Sequence, residues 1–327
     1  MSIFQQLVDN PAQQQPQAQR DARLDDYRRI EALTRRPLVV YAADWLTPLK
    51  QQTQNFSAYI GLDYNDVLPF KELISSIEGP TLDVLIHSPG GLGEAAERLV
   101  KLLRGRFRDV RFIVPHSSMS AATMLCFSGN SIAMNEASAL GPIDPQVGGV
   151  PARAIKKGFD KVKKAVGKTP GALGPYLPML QKYDLHVFEI CDNAEKLSKQ
   201  LVRQWLKEYM FAGDRAGLRR VNDIVQYFAT HDKHLSHVRG VGVDECIKRG
   251  LKIHDLRQDR EFGDMIWSLW QRIEFFFGFA PALAKLFENS HGVSFVRMLP
   301  QQMAFQLGGP LPFMVPQPAP PKPDEQK

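Results

Sequence analysis

The chain has 327 residues, of which 44% are hydrophobic and 23% are charged, and this balance predicts a soluble globular protein with a core of normal size. The net charge of +6 is compatible with an anionic partner but does not require one. Three widely spaced cysteines argue against a disulfide framework or a structural zinc site, and no stretch has the roughly 20 apolar residues that a membrane-spanning helix needs. Because the N-terminal segment also lacks the pattern of a signal peptide, we predict a cytoplasmic protein.

The first predicted segment, residues 1–35, is a flexible arm. It begins as a glutamine-rich stretch with two prolines, a composition that favours mobility. Residues 24–36 then predict a short basic helix, because their acidic start and arginine-rich end suit the helix dipole. A first strand follows from Arg36, where valines and a tyrosine have high β propensity.

A domain over residues 36–258 is predicted from the alternation of apolar strands and amphipathic helices. Helices are predicted over residues 65–77, 92–107, 118–128, 185–211, 218–229 and 244–249, and strands over residues 81–87, 109–115, 131–135 and 251–253. Strand–helix–strand units of about 30 residues imply right-handed crossovers between parallel strands. The predicted fold is therefore α/β, with a mainly parallel sheet.

Three segments differ in composition from the rest of the chain. Residues 153–168 are strongly basic and predict a solvated, mobile flap; they lack the interleaved aromatic residues that would favour nucleic-acid binding. Residues 259–310 predict a helical extension, whose aromatic stretch over residues 262–279 is assigned to the contact of a homo-oligomer. Residues 311–327 predict a Pro-rich disordered tail, a candidate for docking to a partner.

Two short motifs with glycine and serine carry the predicted chemistry. The first, HSPGG, ends at Gly90 and Gly91, directly after a predicted strand and before a helix. Glycines at such a turn permit positive φ angles and leave backbone amides free for an anion or an oxyanion. In the second motif, Ser120 follows the next strand, and the amide of Ala121 is expected to face the same space at the carboxyl edge of the sheet. One hydroxyl and two amides from successive βα turns form the minimal geometry for acyl transfer.

These motifs are similar to those of a known family. The segment IHSPGG, the SMSA core around Ser120, the GPIDPQ turn and the spacing between them resemble the Clp protease–crotonase superfamily. Within it, the sequence most resembles the serine dehydrogenase proteinase (SDH) family, which is related to signal peptide peptidase A. The resemblance covers roughly residues 37–255. It implies a spiral of repeated ββα units and a serine peptidase in which Ser120 is the nucleophile and the amides of Gly91 and Ala121 bind the oxyanion.

The proton acceptor for Ser120 is left open by the sequence. Clp-type peptidases have a histidine in the segment that GPIDPQ resembles, where this chain has Asp144, so the Clp-type triad is not carried over intact. Relatives such as signal peptide peptidase A use a lysine base instead, which requires burial to lower its pKa. Lys196, in a stretch that resembles a helix of the SDH family, is the first lysine candidate, and Lys161 and Lys163 in the basic segment are the others.

Histidines are the alternative source of the base. His231, His234 and His237 precede the segment VDECIKRGL, which resembles the end of the Clp fold, and His237 is adjacent to the position of the third triad member in Clp peptidases. No carboxylate or cysteine pattern accompanies these histidines, so we predict neither a metal site nor a cofactor. His87 and His116 flank the two motifs and are further candidates for the base.

The sequence therefore predicts a serine endopeptidase that acts on a peptide or protein through an acyl-enzyme. The first alternative is a crotonase-like enzyme acting on an acyl thioester, which needs a carboxylate base facing the site, with Asp144 and Glu94 as candidates. The second alternative is a non-catalytic scaffold that keeps the fold and binds partners. It is favoured if no base lies within hydrogen-bond reach of Ser120.

Overall fold

The computed structural model describes residues 6, 7, 9, 10, 14–47, 56–184 and 186–300, so the tail predicted over residues 311–327 lies outside the described residues. The α-helices of this part are α1 Pro16–Thr34, α2 Ser57–Ile60, α3 Val67–Ser75, α4 Gly93–Arg104, α5 Ala121–Cys126, α6 Ala152–Lys168, α7 Leu177–Leu180, α8 Val187–Trp205, α9 Arg215–Ala229, α10 His231–His234, α11 Val243–Lys248 and α12 Arg260–Phe279. The strands are β1 Leu38–Ala43, β2 Thr81–His87, β3 Asp109–Val114, β4 Ser117–Ser118, β5 Ser131–Met134, β6 Ala139–Leu140, β7 Gln146–Val147, β8 Val150–Pro151, β9 Val241–Gly242, β10 Ile253–Asp255, β11 Leu283–Asn289 and β12 Ser294–Met298.

A seven-stranded sheet forms the centre of the molecule, with the strand order β10-β5-β3-β2-β1-β11-β12. Strands β1, β2, β3, β5 and β10 pair in parallel, whereas β11 is antiparallel to β1 and β12 is antiparallel to β11. The parallel strands are covered on both faces, and in β2 all residues from Leu82 to His87 are accordingly buried. The predicted α/β fold with a mainly parallel sheet is confirmed.

Helices cover both faces of this sheet. On one face, α1 and α12 pack over side chains such as Leu85 and Ile113. On the other face, α3, α4, α5 and α9 pack over side chains such as Val84 and Phe112. Because successive residues of a strand point to opposite faces, neighbouring positions in β2 and β3 supply both cores.

A second, three-stranded sheet in the order β4-β6-β9 lies beyond the carboxyl edge of the central sheet. Ser118 of β4 pairs in parallel with Leu140 of β6, and β6 pairs antiparallel with β9, where Leu140 faces Val241. This small sheet draws the chain segments that follow β6 and precede β9 toward the turn after β4. The turn after β4, the segment after β6 and the segment before β9, which are distant in the sequence, thereby meet at one site.

The N-terminal segment differs from its prediction as a flexible arm with a helix over residues 24–36. Helix α1 begins at Pro16, eight residues earlier, and its Leu24 and Ile30 lie in the core shared with α12. Inside this helix Arg23 is buried and bonded to Glu288 of β11, with Nε 2.8 Å from Oε2. The glutamine-rich composition did not reveal this pairing, because the partner lies 265 residues away.

The C-terminal segment also differs from its prediction. A helical extension over residues 259–310 is wrong for residues 283–298, which form strands β11 and β12 of the central sheet. The aromatic helix α12 buries Ile266 and Trp270 in the core of the same molecule, while Trp267 and Phe279 of the same helix are exposed. The homo-oligomer itself stays a prediction.

The basic segment over residues 153–168 was expected to be a mobile flap, and it is helix α6. Its Ile155 packs against Val187 and Cys191 of the next long helix, α8. Lys156 adds an ion pair to Asp192, with Nζ 2.7 Å from Oδ1.

Among the described residues, none of the helices is both long enough and apolar enough to span a membrane.

Candidate active site

The two glycine-and-serine motifs lie side by side at the carboxyl edge of the sheet. Strands β2 and β3 are parallel neighbours, so the turns after His87 and Val114 leave the sheet together. Beyond the strands, Ser88 pairs in parallel with Ser118, and the amide of Met119 donates to the carbonyl of Ser88 over 2.9 Å. This pairing brings the glycine turn directly against the serine turn.

Ser120 is the N-cap residue of α5 and has a strained backbone. Its φ of 50° and ψ of −120° lie outside the usual regions, at a cost of roughly 1–3 kcal/mol for a residue with a side chain. The hydroxyl of Thr123 fixes the turn, since it donates to the Ser118 carbonyl over 2.6 Å and accepts from the Gly141 amide over 3.0 Å. Within the described residues the Ser120 side chain does not cap the helix, which begins one residue after Ser120 instead of at residue 118 as predicted.

Gly90 is the residue against which Ser120 packs. It has a φ of 91°, and a Cβ at this position would stand 2.5 Å from the carbonyl oxygen of Met119 and 2.6 Å from Cβ of Ser120. Its amide donates to Ser88 Oγ over 3.1 Å. Gly90 therefore shapes the turn and does not offer its amide to a substrate.

We expect Gly90→Ala to destabilise the protein and to displace Ser120. The free energy of unfolding should fall by about 1–2 kcal/mol because of the positive φ, and by roughly 1–3 kcal/mol more because the added methyl group overlaps backbone atoms. Urea unfolding measures both losses together. Gly79→Ala is the matched control, because Gly79 has a φ of 87° with open space around its Cβ position. Equal losses for the two variants would contradict the packing of Gly90 against Ser120.

Gly91 and Ala121 present the two amides that face this turn. Gly91 pairs with Leu62 through a bridge in which the Leu62 amide donates to the Gly90 carbonyl over 2.7 Å and the Leu92 amide donates to the Leu62 carbonyl over 2.8 Å. This bridge leaves the amide of Gly91 outside the pairing. Ala121 is the first residue of α5, and the amides of a first helical turn have no partner within the helix. The arrangement can therefore offer two donors to one oxyanion.

Gly91, Ser120 and Ala121 all line one cavity of about 540 Å³. Its apolar walls include Met124, Ile143, Val147, Ile190 and Leu197. Glu94 also lines the cavity, and its side chain is exposed. The cavity thus combines apolar walls with polar residues such as Glu94 and His237.

His237, from the segment before β9, lines the same cavity as Ser120. Its Nδ1 lies 2.8 Å from Oδ1 of Asp144, and Nδ1 of His231 lies 2.9 Å from Oδ2 of the same carboxylate. Because a carboxylate only accepts hydrogen bonds, each histidine donates its Nδ1–H, and Nε2 of the neutral ring keeps a lone pair. Asp144, which is 3% exposed, can therefore orient His237 as a proton acceptor.

The lysines predicted as alternative bases are not at the site. Lys196 lies on the exposed side of α8, whereas Ala194, Leu197 and Ser198 of that helix line the cavity. Lys161 is exposed on α6. Of the described residues that line the cavity, none is a lysine. The helical register of α8 decides this, because residue 196 falls between the positions that face inward.

The other histidines predicted as candidates have different surroundings. His87 is buried against Trp270 on the α12 face of the sheet, with ring centroids 4.3 Å apart, and burial lowers its pKa well below the usual range. His116 lies beside the same tryptophan, and burial lowers its pKa as well. His234 has its Nε2 2.8 Å from the carbonyl oxygen of Tyr227. In the described part of the chain, no three His, Cys, Asp or Glu side chains are grouped as metal ligands.

The pairing of Asp144 with His237 is the feature that sequence reasoning missed. Within the GPIDPQ turn, Ile143 and Pro145 line the cavity. Asp144 between them points instead to two histidines that lie 87 and 93 residues further along the chain. The sequence does contain a signal for this pairing. Asp144 occupies the segment where Clp-type peptidases have their histidine, and His237 is adjacent to the position of their third triad member.

The chain thus has a mainly parallel central sheet, a serine in a strained turn, and a histidine–aspartate pair whose His237 lines the same cavity as that serine. Residues 63–170 match the family model described as ClpP-like SDH-type serine proteinase. This match confirms the predicted SDH family within the Clp-like superfamily, over the third of the chain that it covers. At the level of the family, it supports a serine peptidase.

Two curated relatives from the archaeon Methanocaldococcus jannaschii are similar to this chain. The uncharacterized protein MJ0137 is 33% identical over 152 residues, which cover 41% of this chain and 50% of the relative. The uncharacterized protein MJ1495 is 25% identical over 181 residues, which cover 55% of this chain and 56% of the relative. The chain thus spans about half the length of the curated relatives it matches.

Proposed function

We propose that this protein is a serine endopeptidase that forms an acyl-enzyme on Ser120, with His237 as the general base and Asp144 as the residue that orients it. The observation that carries the proposal is that His237, bonded to Asp144, lines the same cavity as Ser120 and the amides of Gly91 and Ala121. This set contains a nucleophile, a base, an orienting carboxylate and two oxyanion donors.

The proposed reaction begins when Oγ of Ser120 attacks the carbonyl carbon of the scissile peptide bond. The hydroxyl proton passes to Nε2 of His237, and the negative charge on the carbonyl oxygen is stabilised by the amides of Gly91 and Ala121. Collapse of this intermediate breaks the C–N bond, and the leaving amine takes the proton from His237. Water then hydrolyses the ester with His237 again accepting and returning a proton, which restores the Ser120 hydroxyl and releases the carboxylic acid.

The proposed base and orienting residue have exchanged places relative to the Clp pattern. In Clp-type peptidases the histidine belongs to the segment that GPIDPQ resembles, and the third triad member comes from just before the segment that VDECIKRGL resembles. Here the first segment has Asp144 and the second is preceded by His237. Since the two side chains are bonded to each other, the same two segments can support a triad with the residue types reversed.

The proposed substrate is a peptide or protein with an apolar side chain next to the scissile bond. The cavity around Ser120 has apolar walls formed by residues such as Met124, Ile143 and Leu197. Burial of a Leu- or Phe-sized side chain there would contribute roughly 1.5–3 kcal/mol to binding. The crotonase-like alternative has less support, because Asp144 is engaged by two histidines and the other candidate carboxylate, Glu94, is exposed.

A fluorophosphonate probe tests the proposal directly, because it phosphonylates activated serines. We expect the folded protein to be labelled on Ser120, identified by mass spectrometry of the peptide that carries it, and the same protein unfolded in urea to remain unlabelled. The control separates an activated serine from general chemical reactivity. Absence of labelling, or labelling only at other serines, would count against the proposed function.

A further inference from the structure

A buried lysine outside the catalytic set contacts the segment that pairs with Gly91. Lys285 of β11 is 0% exposed, and its Nζ lies 2.8 Å from Oδ1 and 2.9 Å from Oδ2 of Asp66. The same ammonium donates to the carbonyl oxygen of Gly61 over 2.5 Å. A fully buried ammonium with these partners holds one peptide group in a defined position.

Gly61 connects this ion pair to the turn with the proposed oxyanion donors. It lines the cavity of Ser120, and the next residue, Leu62, makes both hydrogen bonds of the bridge around Gly91. A Cβ on Gly91 would overlap the backbone of Leu62, with the nearest atom 2.3 Å away. The contact is therefore backbone against backbone, so a shift of Gly61 and Leu62 must move Gly91.

Asp66 is itself held in place from other sides. The hydroxyl of Tyr41 and the amide of Asp63 each donate to its Oδ2 over 3.0 Å, and Arg297 lies 3.6 Å from its Oδ1. Burial raises the pKa of Asp66 and lowers that of Lys285, and in each case the charge of the partner opposes the shift. The pair is thus a buried ion pair with its remaining hydrogen-bonding capacity largely filled, an arrangement that favours one geometry.

We propose that Lys285 is a positioning residue for the oxyanion site: through the Gly61 carbonyl and Leu62 it holds the amide of Gly91 where the developing negative charge is bound. This inference rests on the proposed function. It assigns the C-terminal strands a role in the site, although they lie outside the residues that match the family model. An oxyanion donor acts only if it is fixed in advance, so loss of the contact should slow acylation more than substrate binding.

The test uses a double variant, Lys285→Met with Asp66→Asn, which removes both charges and leaves neither buried without its partner. The matched control is Arg23→Met with Glu288→Gln, which removes another buried ion pair of the same strand. Glu288 contacts Arg23, Tyr27 and Ser294, away from the oxyanion turn. For both double variants, the rate of Ser120 labelling by a fluorophosphonate is resolved into binding and chemical steps. Amide hydrogen exchange is followed for the peptides that contain Leu62 and Leu92.

We expect the Lys285 double variant to label about 10–100-fold more slowly in the chemical step, part of the 10²–10³-fold effect of losing a whole oxyanion donor. The amides of Leu62 and Leu92 should also exchange faster, whereas the control should change neither readout. Unchanged exchange at these amides overturns the inference, as does faster exchange with an unchanged chemical step. If the wild-type protein is not labelled, the proposed function fails and the role in acylation fails with it, while exchange alone decides whether Lys285 orders the turn.

Discussion

Replacing Ser120 by alanine is expected to lower kcat for hydrolysis of a fluorogenic peptide by about 10⁶-fold, or to the background rate. The reason is that, in the proposed mechanism, the hydroxyl forms the covalent intermediate, and in the described structure it is not used to cap the helix. Initial rates at saturating peptide measure the effect. The fold should remain intact, because the alanine variant keeps the same backbone and the hydrogen bond between Thr123 and Ser118 is independent of the Ser120 side chain.

Two control variants make the Ser120 prediction specific. Ser117→Ala removes a hydroxyl three residues earlier, which bonds to His116 and does not line the cavity, and it should retain activity. Ser120→Gly should be as inactive as Ser120→Ala but should raise the free energy of unfolding by about 1 kcal/mol, because glycine relieves the strain at a φ of 50°. If Ser120→Ala keeps more than a small fraction of the activity, acyl-enzyme formation at this residue is refuted.

The second large effect is expected for His237→Ala, with a loss in kcat of about 10⁶-fold, similar to the loss of the nucleophile. In the proposed mechanism Nε2 of His237 accepts the proton as Ser120 attacks, so the loss of either residue should disable the same step. The double variant of Ser120 and His237 should therefore be no slower than either single variant. The measurement is kcat at saturating peptide for all three variants.

Lys196→Ala is the matched control for the base. Lys196 is exposed on α8 and faces away from the cavity, so its removal should change kcat by less than about twofold, as for ordinary surface substitutions. An inactive Lys196 variant beside an active His237 variant would reverse the assignment and favour a lysine base. Circular dichroism checks that His237→Ala still folds. We expect it to fold, because Asp144 keeps His231 as a hydrogen-bond partner.

Local sequence patterns predicted the parallel core well. The strand predicted over residues 81–87 matches β2, and the strand predicted over residues 109–115 ends one residue beyond β3. Both strands place apolar side chains on the two faces of the sheet, Val84 and Phe112 on one and Leu85 and Ile113 on the other, so their composition indicates burial without reference to any partner. The glycine turn and the serine turn follow them directly, and parallel neighbours open at the same edge, so the proximity of Gly91 to Ser120 was also predictable.

Strand β11 shows where local patterns are insufficient. Its sequence LAKLFEN contains Lys285 and Glu288, two charges that argue against a buried strand when the segment is considered alone. Both are buried because Asp66 and Arg23 neutralise them, from positions 219 and 265 residues away in the chain. The same pairing explains why the glutamine-rich helix α1 is part of the core and not a mobile arm.

The candidate site shows the same difference between features that follow from local sequence and features that depend on long-range contacts. The proposed nucleophile and its two proposed oxyanion amides follow from short-range features, because two glycines after one strand and a serine after the next need only a parallel sheet to meet. The base does not, because His237 and Asp144 are brought together by the small sheet β4-β6-β9 and the helices before it, across 93 residues. The helical register of α8 likewise turns Lys196 outward. The proposal of a histidine base in place of a lysine base therefore rests on the packed structure, since both residue types are present in the sequence and only their positions in space distinguish them.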